Sequence, residues 1–526
     1  MLRKYFFIST LLLLNTSLLT AQIPDWSTAV APIIYNKCGS CHHAGGAGHG
    51  DLTNYDTASY LAGAINFHVG QGTMPPWPPD PSYVKLAHER RLSASEIITI
   101  QNWVQGGTPQ GDTNLLPPMP NYNGGAMLTL TPDYTFQMPT YTVTPTGSST
   151  DDIYWNFVLS TNNSQDQFLK GFEFIPGNTA NVHHALIFID TGNTVINLDN
   201  AYPGLGYPGF GGSGSNTAVL IGAYVPGSTP FLFPNGFGMK YPKNAHIILS
   251  IHYPYEAVGE VDSSKINLFL ASANAREVFF APALNHSSNL QNGPLVIPAN
   301  QIKTFHEQYQ IPIAISLFGV APHMHLIGRN INAFGITTLN DTIPLINIPD
   351  WNFKWQGTYY FPQIKKLPIN TTLHSYATYD NTSANPFNPN SPPQLVVKGE
   401  STTDEMMLVY FAYTYYFPGD ENIIIDSHAV FTPTHETVYY RNIEVFPAYP
   451  NPSIGVVNLK LYTKKEEELK TKILDMSGRI VFSKTITSSI GYQIVALPCA
   501  TLATGNYSLH LESKENTYQQ QISIRH

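Results

Sequence analysis

Cysteine is almost absent: Cys38, Cys41 and Cys499 are the only three in 526 residues. A chain so poor in thiols has no disulfide framework, so its stability has to come from burial. Charge is scarce too, at 12% of residues with a net charge of -9. No basic cluster follows the first few residues, which removes the electrostatic footprint of a nucleic-acid binder. Past the N-terminus no apolar run approaches the ~20 residues needed to span a bilayer, so no transmembrane segment is expected.

What is plentiful is turn-forming and strand-forming material. The 39 glycines, 41 prolines and 12% aromatics indicate short strands and many turns, and the expected class is mainly β. At ~150 residues per domain the length divides into three or four units. The opening MLRKYFFISTLLLLNTSLLTAQ has a basic start, an apolar run and a small residue at Ala21, the pattern of a cleaved secretory signal over 1–21. The chain is therefore expected to work outside the cytoplasm.

Cys38-Gly-Ser-Cys41-His42 is a C-x-x-C-H sequence. Its thiols can form thioethers to a haem while His42 supplies an axial nitrogen. A disulfide or half a zinc site is the alternative, but no second C-x-x-C exists and a disulfide leaves His42 unexplained. Met74 in GQGTMPPWPPDPSY is the best-placed sixth ligand, with His43, His49 and His68 as rivals. From Ser93, SASEIITIQNWVQGG opens with Ser and Glu96 three residues on, and stops at Gly106 and Gly107, which predicts a capped helix. Residues 22–115 resemble the small α-helical cytochrome c-like domains of secreted bacterial oxidoreductases. The C-x-x-C-H, the MPPW and the closing helix carry that resemblance.

After the Pro-rich LLPPMPNYNGG, some 300 residues follow a β alternation, with four polar signals lodged in it. GNTANVHHALIFID carries His183 and His184; HIILSIHYPY carries His252; GVAPHMHLIGRN carries His323 and His325; and STTDEMMLVYFAY carries Met406. On a strand His323 and His325 would share a face, about 6.6 Å apart at the backbone, and could close on one metal ion or form a hydrogen-bonded core pair. His183 and His184 would face opposite ways on a regular strand, where one would be structural, so joint ligation requires a bulge or a strand end, or different ring nitrogens. A thioether beside two histidines points to copper rather than zinc. A blue-copper centre would need a thiolate, and two cysteines are engaged while Cys499 lies in the far tail.

The order His-His, His-Tyr, His-x-His with Gly-Arg following, then Asp-Glu-Met resembles the copper type II, ascorbate-dependent monooxygenases, the family of peptidylglycine α-hydroxylating monooxygenase and dopamine β-monooxygenase. The resemblance implies two jelly-roll-like antiparallel β-sandwich domains, 126–278 and 279–418, facing each other across a solvent-filled cleft. It implies two copper ions: one held by His183, His184 and His252 for electron transfer, the other by His323, His325 and Met406, where O2 meets substrate. His246 and Met407 are rival ligands. Tyr410, four residues after Met406, corresponds to an aromatic contact at the catalytic copper. Where peptide-hydroxylating members carry an arginine and an asparagine to anchor a carboxylate, this chain has Ala321 and Leu408, so peptide amidation is not expected. His286, His306, His374, His428 and His435 match no motif and are read as ordinary surface or core residues.

The tail repeats strand, turn, strand at short spacing, which predicts a small β-sandwich over 444–526. YPNPSIG, DMSGRIV and LATGNYSLHL resemble the type A sorting domain of type IX secretion. That implies export through the periplasm of a Gram-negative bacterium, a partner in the type IX machinery, removal of the tail, and no role for Cys499 in the mature chain.

The expected function is a secreted copper-dependent monooxygenase that hydroxylates a C–H bond of a small organic substrate with O2. Electrons would pass from an external donor, ascorbate-like, quinol or cytochrome, through haem c to the two coppers. The alternative is a non-catalytic copper- and haem-binding surface protein that transfers electrons or sequesters metal.

Overall fold

Strands dominate the chain, and the protein is mainly β. The computed structural model describes residues 23–119, 128, 130–145, 152–209, 212–426, 443–445, 448, 451, 453–463, 465–475, 479–513 and 517–525. The expected signal at 1–21, His428 and His435 lie outside the described residues. By its internal contacts the chain divides into two units, Met1–Pro75 with Arg91–Asn121, and Pro76–Arg90 with Tyr122–His526.

The first unit is helical. Ala31–Lys37, Tyr55–Tyr60, Ala62–Gly70 and Ala94–Gln105 close on a core that includes Trp26, Ile34, Ile65, Ile100 and Trp103. The Trp26 and Trp103 ring centroids are 5.8 Å apart. Ala94–Gln105 begins where its sequence predicts: Ser93 Oγ accepts from the Glu96 N–H at 3.2 Å, and Glu96 Oε2 accepts from the Ser93 N–H at 2.6 Å. Each bond satisfies an N–H that the first helical turn leaves orphaned. The helix stops at Gly106, and Gly107 follows at φ +81°, where a side chain would be strained.

Residues 76–90 fall inside the stretch read from sequence as one haem segment, yet they belong to the second unit. Burial explains this. Leu86 is 1% exposed within a core of the second unit, and Trp77 and Val84 pack against the same core. The main chain is pinned as well, with the Ala87 N–H donating to the Tyr360 carbonyl at 2.7 Å and the Asp80 N–H to the Asn347 carbonyl at 2.8 Å.

In the second unit two five-stranded sheets enclose a first core. One runs, in spatial order, Tyr134–Gln137, Lys265–Leu270, Gln167–Ile175, Phe237–Tyr241 and Arg276–Glu277; the other runs Tyr207–Pro208, Ile153–Ser160, His246–Tyr253, His184–Asp190 and Val219–Tyr224. His246–Tyr253 is central to its sheet. Ile247, Leu249, Ile251 and Tyr253 point into the core by strand alternation. That parity sends His252 to the other face.

Two four-stranded sheets enclose a second core. One runs Phe279–Asn285, Leu408–Tyr415, Ile315–His323 and Tyr359–Leu367; the other Gln301–Gln310, Thr372–Asn381, Gly328–Ile336 and Thr342–Ile348. On Leu408–Tyr415, Val409 and Phe411 enter this core, as does the preceding Met407. Ala412, on the opposite face, joins the first core together with Phe318 and Ile364. The sheet thus presents one face to each core, and Phe318 meets Phe233 and Phe237 at centroid distances of 5.2 and 5.1 Å. Burying a ring of this kind contributes roughly 1.5–3 kcal/mol.

The tail has a three-stranded and a four-stranded sheet around Leu459, Ile473, Leu497 and Leu509. Cys499 is fully buried there as a small apolar residue. Among the described residues no helix is long and apolar enough to cross a membrane.

Candidate metal centres

His252 arrives from the centre of a sheet and His184 from the strand beside it, directly opposite in register. A turn at Asn178–Val182 ends the preceding segment, and His183 sits just before the first residue of His184–Asp190. This is a strand end, so adjacent histidines need not point apart. Nδ1 of His184 lies 3.2 Å from Nδ1 of His183 and 3.1 Å from Nδ1 of His252. The ligand atoms of the three residues all lie within 4.8 Å of one another, the one such group among the described residues.

The polar bookkeeping of this trio favours a cation at its centre. Nε2 of His252 donates to Asp152 Oδ2 at 2.8 Å, so its Nδ1 presents a lone pair. Neutral imidazoles can place only one shared proton among three Nδ1 atoms so close together; the remaining lone pairs converge. Burial holds His183 down at about 4 and His184 well below the ordinary imidazole range, with the neighbouring histidines acting the same way. Neutral imidazole is the form that binds metal. Burial works to raise the Asp152 carboxyl, and the His252 hydrogen bond prevails, leaving it below its ordinary value. Tyr154 covers the site, its ring stacked on His252 at 4.3 Å and 5°.

His323 ends the strand Ile315–His323, paired with Leu408, and His325 follows it out of the strand. Their rings stand edge to face, 5.0 Å apart. Nδ1 of His323 bonds Gln356 Oε1 at 2.5 Å, and Nδ1 of His325 donates to the Asp404 carbonyl at 3.1 Å. Both Nε2 atoms are thereby left as the available ligand atoms. Burial pushes His323 down to about 3 and His325 to about 4.

The main chain of Met406 is tied to that of His325 through the Glu405 side chain. The fully buried Glu405 carboxyl accepts the main-chain N–H of His325 at 2.8 Å and of Met406 at 3.2 Å on one oxygen, and that of Ile327 at 2.9 Å on the other. Burial raises this carboxyl to about 8 while the backbone donors pull the other way. Met407 is fully buried in the second core. Tyr410 stacks on Phe280 at 5.4 Å and pairs with Ala321.

Several residues here escaped the sequence reading. The segment DWNFKWQG wraps the second pair: Trp351 Nε1 donates to the His325 carbonyl at 3.2 Å, Gln356 holds His323, and Phe353 reaches both histidine groups. Its ring centroid is 6.5 Å from His183 and 6.0 Å from His325, so one aromatic ring lies near both groups. The signal was a run of aromatics that breaks strand alternation. His286, read as an ordinary residue, lies beside Met407, its main-chain N–H donating to the Met407 carbonyl at 3.0 Å. His246 joins neither group; its Nδ1 meets Ser160 Oγ at 3.2 Å. His306 and His374 bond each other at 3.0 Å.

In the first unit Cys38 caps the helix Ala31–Lys37, and its carbonyl accepts the N–H groups of Cys41 at 3.1 Å and His42 at 2.9 Å. This turn fixes the main chain of the C-x-x-C-H segment. His42 Nδ1–H donates to the His49 carbonyl at 2.9 Å, which leaves Nε2 for an axial bond. A Cβ at Gly48 would come within 2.6 Å of the His42 ring, so the loop is shaped closely around that histidine. Burial pushes the Cys38 thiol up to about 12. These residues fit a covalently attached haem. Met74 is half-buried; His68 bonds Thr73 through Nδ1 at 2.9 Å and His43 the Gly39 carbonyl at 2.8 Å, contacts of the same kind as that of His42, so they do not decide between the sixth-ligand candidates.

Residues 447–525 match the secretion system C-terminal sorting domain family. The chain thus carries a type IX secretion sorting domain, engages that machinery, and is secreted or held at the surface of a Gram-negative bacterium. No curated protein matches the chain. Among solved structures, the β-glucuronidases of Parabacteroides merdae, Faecalibacterium prausnitzii and Dictyoglomus thermophilum are 8%, 12% and 11% identical to it. The matches cover 49%, 43% and 48% of this chain and 31%, 37% and 45% of those, at TM-scores of 0.17, 0.15 and 0.15. The chain spans less than half the length of these structures, and at such scores the likeness carries no argument.

Proposed function

We propose that the protein is a secreted copper-dependent monooxygenase, similar to the peptidylglycine α-hydroxylating and dopamine β-monooxygenase family, that hydroxylates a C–H bond of a small organic substrate with O2. In this reading the two sandwiches of the second unit are that family's jelly-roll pair. The observation that carries it is the presence of two unlike histidine sets in one unit. One is a trio converging through Nδ1. The other is a pair presenting Nε2, tied through Glu405 to a methionine.

Bound copper would supply one-electron redox chemistry at both sets and O2 activation at the second. The chain's own residues keep the imidazoles neutral by burial and orient them through Asp152, Gln356 and the Asp404 carbonyl. Ala321 and Leu408 offer no cation or amide for a peptide carboxylate. In the first unit Cys38, Cys41 and His42 would hold haem c, with Met74 as sixth ligand, and the haem would pass electrons from an external donor.

The test is copper and haem analysis of the purified mature chain, followed by O2 uptake and product formation under an ascorbate-like, quinol or cytochrome donor. Two coppers, one haem and coupled product formation are expected. Full metal and haem loading without O2 uptake over a broad set of small C–H substrates would favour the non-catalytic electron-transfer reading, and absence of copper would end both.

A further inference from the structure

Asp190 closes the strand His184–Asp190 at the end away from the histidine trio, and it is 1% exposed. Ile187 and Ile189 enter the first core, so alternation puts Asp190 on the other face of the sheet. There its Oδ1 accepts the Gly192 N–H at 2.9 Å and the Thr217 hydroxyl at 2.7 Å. Its Oδ2 is buried and has no hydrogen-bond partner among the described residues. Burial works to raise this carboxyl, and the Thr217, Gly192 and Ser215 donors prevail, holding it below its ordinary value. The group is therefore an anion in the folded chain, and among the described residues no ion pair reaches it. No lysine or arginine occurs between Lys170 and Lys240, a stretch that includes the whole segment 191–218, and none lies in the other strands of this sheet. Its register neighbour His246 is engaged with Ser160 through Nδ1. Tyr207 and Asp199, the other titratable groups near it, supply no positive charge.

We propose that this is a calcium site, in which Asp190 Oδ2 and the hydroxyl oxygens of Thr217 and Ser215 take the ion and so pin the segment 191–218 to the end of the strand. A Cβ at Gly192 would stand 2.7 Å from Thr217 Oγ1 and 3.3 and 3.7 Å from the two Asp190 oxygens, its three nearest atoms. Glycine thus leaves open a hollow whose closest walls are oxygen. Thr217 Oγ1 meets Ser215 Oγ at 3.0 Å, so that hydroxyl belongs to the same group. A charge taken out of water needs a counter-charge, and here the donor set decides which. Oxygen donors that are mostly uncharged and carried on a loop suit calcium, which accepts about six to eight oxygens in flexible geometry. Magnesium demands a near-ideal octahedron, and copper and zinc favour nitrogen and sulfur. Main-chain carbonyls and water would complete the shell. A single carboxylate makes a weak site, of the roughly 10⁻⁴–10⁻³ M class found in extracellular modules, and this chain is exported. No copper or haem residue takes part: Asp190 lies about 20 Å from His184 along the strand, at roughly 3.3 Å per residue.

The test titrates the full-length chain, first stripped of divalent ions by a chelator, with calcium chloride. Calorimetry follows binding, and circular dichroism follows the thermal unfolding midpoint. Wild type should bind calcium with a dissociation constant of about 0.1–1 mM, gain a higher midpoint, and resist limited proteolysis within 191–218. Magnesium at the same concentrations should do markedly less. Asp190→Asn keeps an acceptor for Gly192 and Thr217, and should lower calcium affinity by about tenfold or more and abolish the midpoint shift. Gly192→Ala fills the hollow without touching the charge, and should weaken calcium severalfold with the calcium-free midpoint near that of wild type; it carries the test if Asp190→Asn does not fold. His246→Ala should leave calcium binding unchanged. No binding by wild type up to about 10 mM calcium, well above the expected range, would overturn the site, as would equal affinity in wild type and both loop variants. A response to magnesium as strong as that to calcium would overturn the choice of ion.

Discussion

Nε2 of His252 donates to the Asp152 carboxylate at 2.8 Å, while its Nδ1 faces the other two histidines of the trio. The carboxylate therefore chooses which nitrogen can bind metal and makes it more basic. Asp152→Ala should weaken copper at this site by about 10–100-fold, read by competition with a chromophoric Cu(I) chelator, and leave the second site untouched. Equal affinity in the variant would reduce the contact to packing.

Met406 and Met407 are adjacent and lie in different surroundings. Met407 fills the second core, and Met406 shares a Glu405 oxygen with His325. Met406→Leu should fold, lose Cu(I) preference at the second site, and lose the sulfur scatterer in copper X-ray absorption. Met407→Leu should keep the sulfur and cost less than about 1.5 kcal/mol as a volume-conserving swap. Retention of sulfur in Met406→Leu would move the ligand to Met407.

How far these features could be read from sequence follows from whether they are local. The helix at Ala94–Gln105 is written in its own cap and stop, and HIILSIHY declares a central strand by its apolar density. The strand-end geometry of His183 and His184 is one of the options that alternation leaves open, beside a bulge or ligation through different ring nitrogens. Asp152, Gln356 and Phe353 were not visible, because each acts on a histidine far away in sequence: 100 residues separate Asp152 from His252, and 33 separate Gln356 from His323. Segment 76–90 misled for the same reason. Its composition suits a loop of the haem segment, and only the burial of Leu86 against distant strands assigns it elsewhere.

Arg276 clamps the C-terminal end of the second sandwich to the first. Its guanidinium binds both Asp420 oxygens, at 2.7 and 2.9 Å, and lies over the Phe237 and Phe417 rings at 4.9 and 4.1 Å. Asp420 is nearly buried, and its carboxyl, raised by burial, is held below its ordinary value by Arg276 and Ser316. Arg276→Ala would leave that charge without its counter-ion, with only the Ser316 hydroxyl and the Phe417 N–H as donors, and should destabilise the unit by about 3 kcal/mol, seen as a lower midpoint in urea. An unchanged midpoint would show that solvent replaces the arginine.

Glu307 should make stability fall as pH rises. It lies in Gln301–Gln310 opposite Ser375, fully buried, and neither carboxyl oxygen has a partner among the described residues. Burial pushes its carboxyl from 4.5 up to about 9, so the folded chain keeps it neutral where the unfolded chain ionises it. Below the unfolded value both states hold the proton and the group imposes no penalty. Above it the folded state binds more protons, and stability declines until pH passes the folded value. At pH 7 the decline relative to acid is about 3 kcal/mol, from roughly 2.5 pH units at 1.36 kcal/mol each. Glu307→Gln keeps the shape and an unpartnered polar group at every pH but removes the titration. Urea unfolding at pH of about 5 and about 8 should therefore show a flatter pH dependence in the variant, with the larger gain over wild type at the higher pH. Parallel pH profiles for the two proteins would mean that Glu307 is ionised in the fold, with a counter-charge or water beside it.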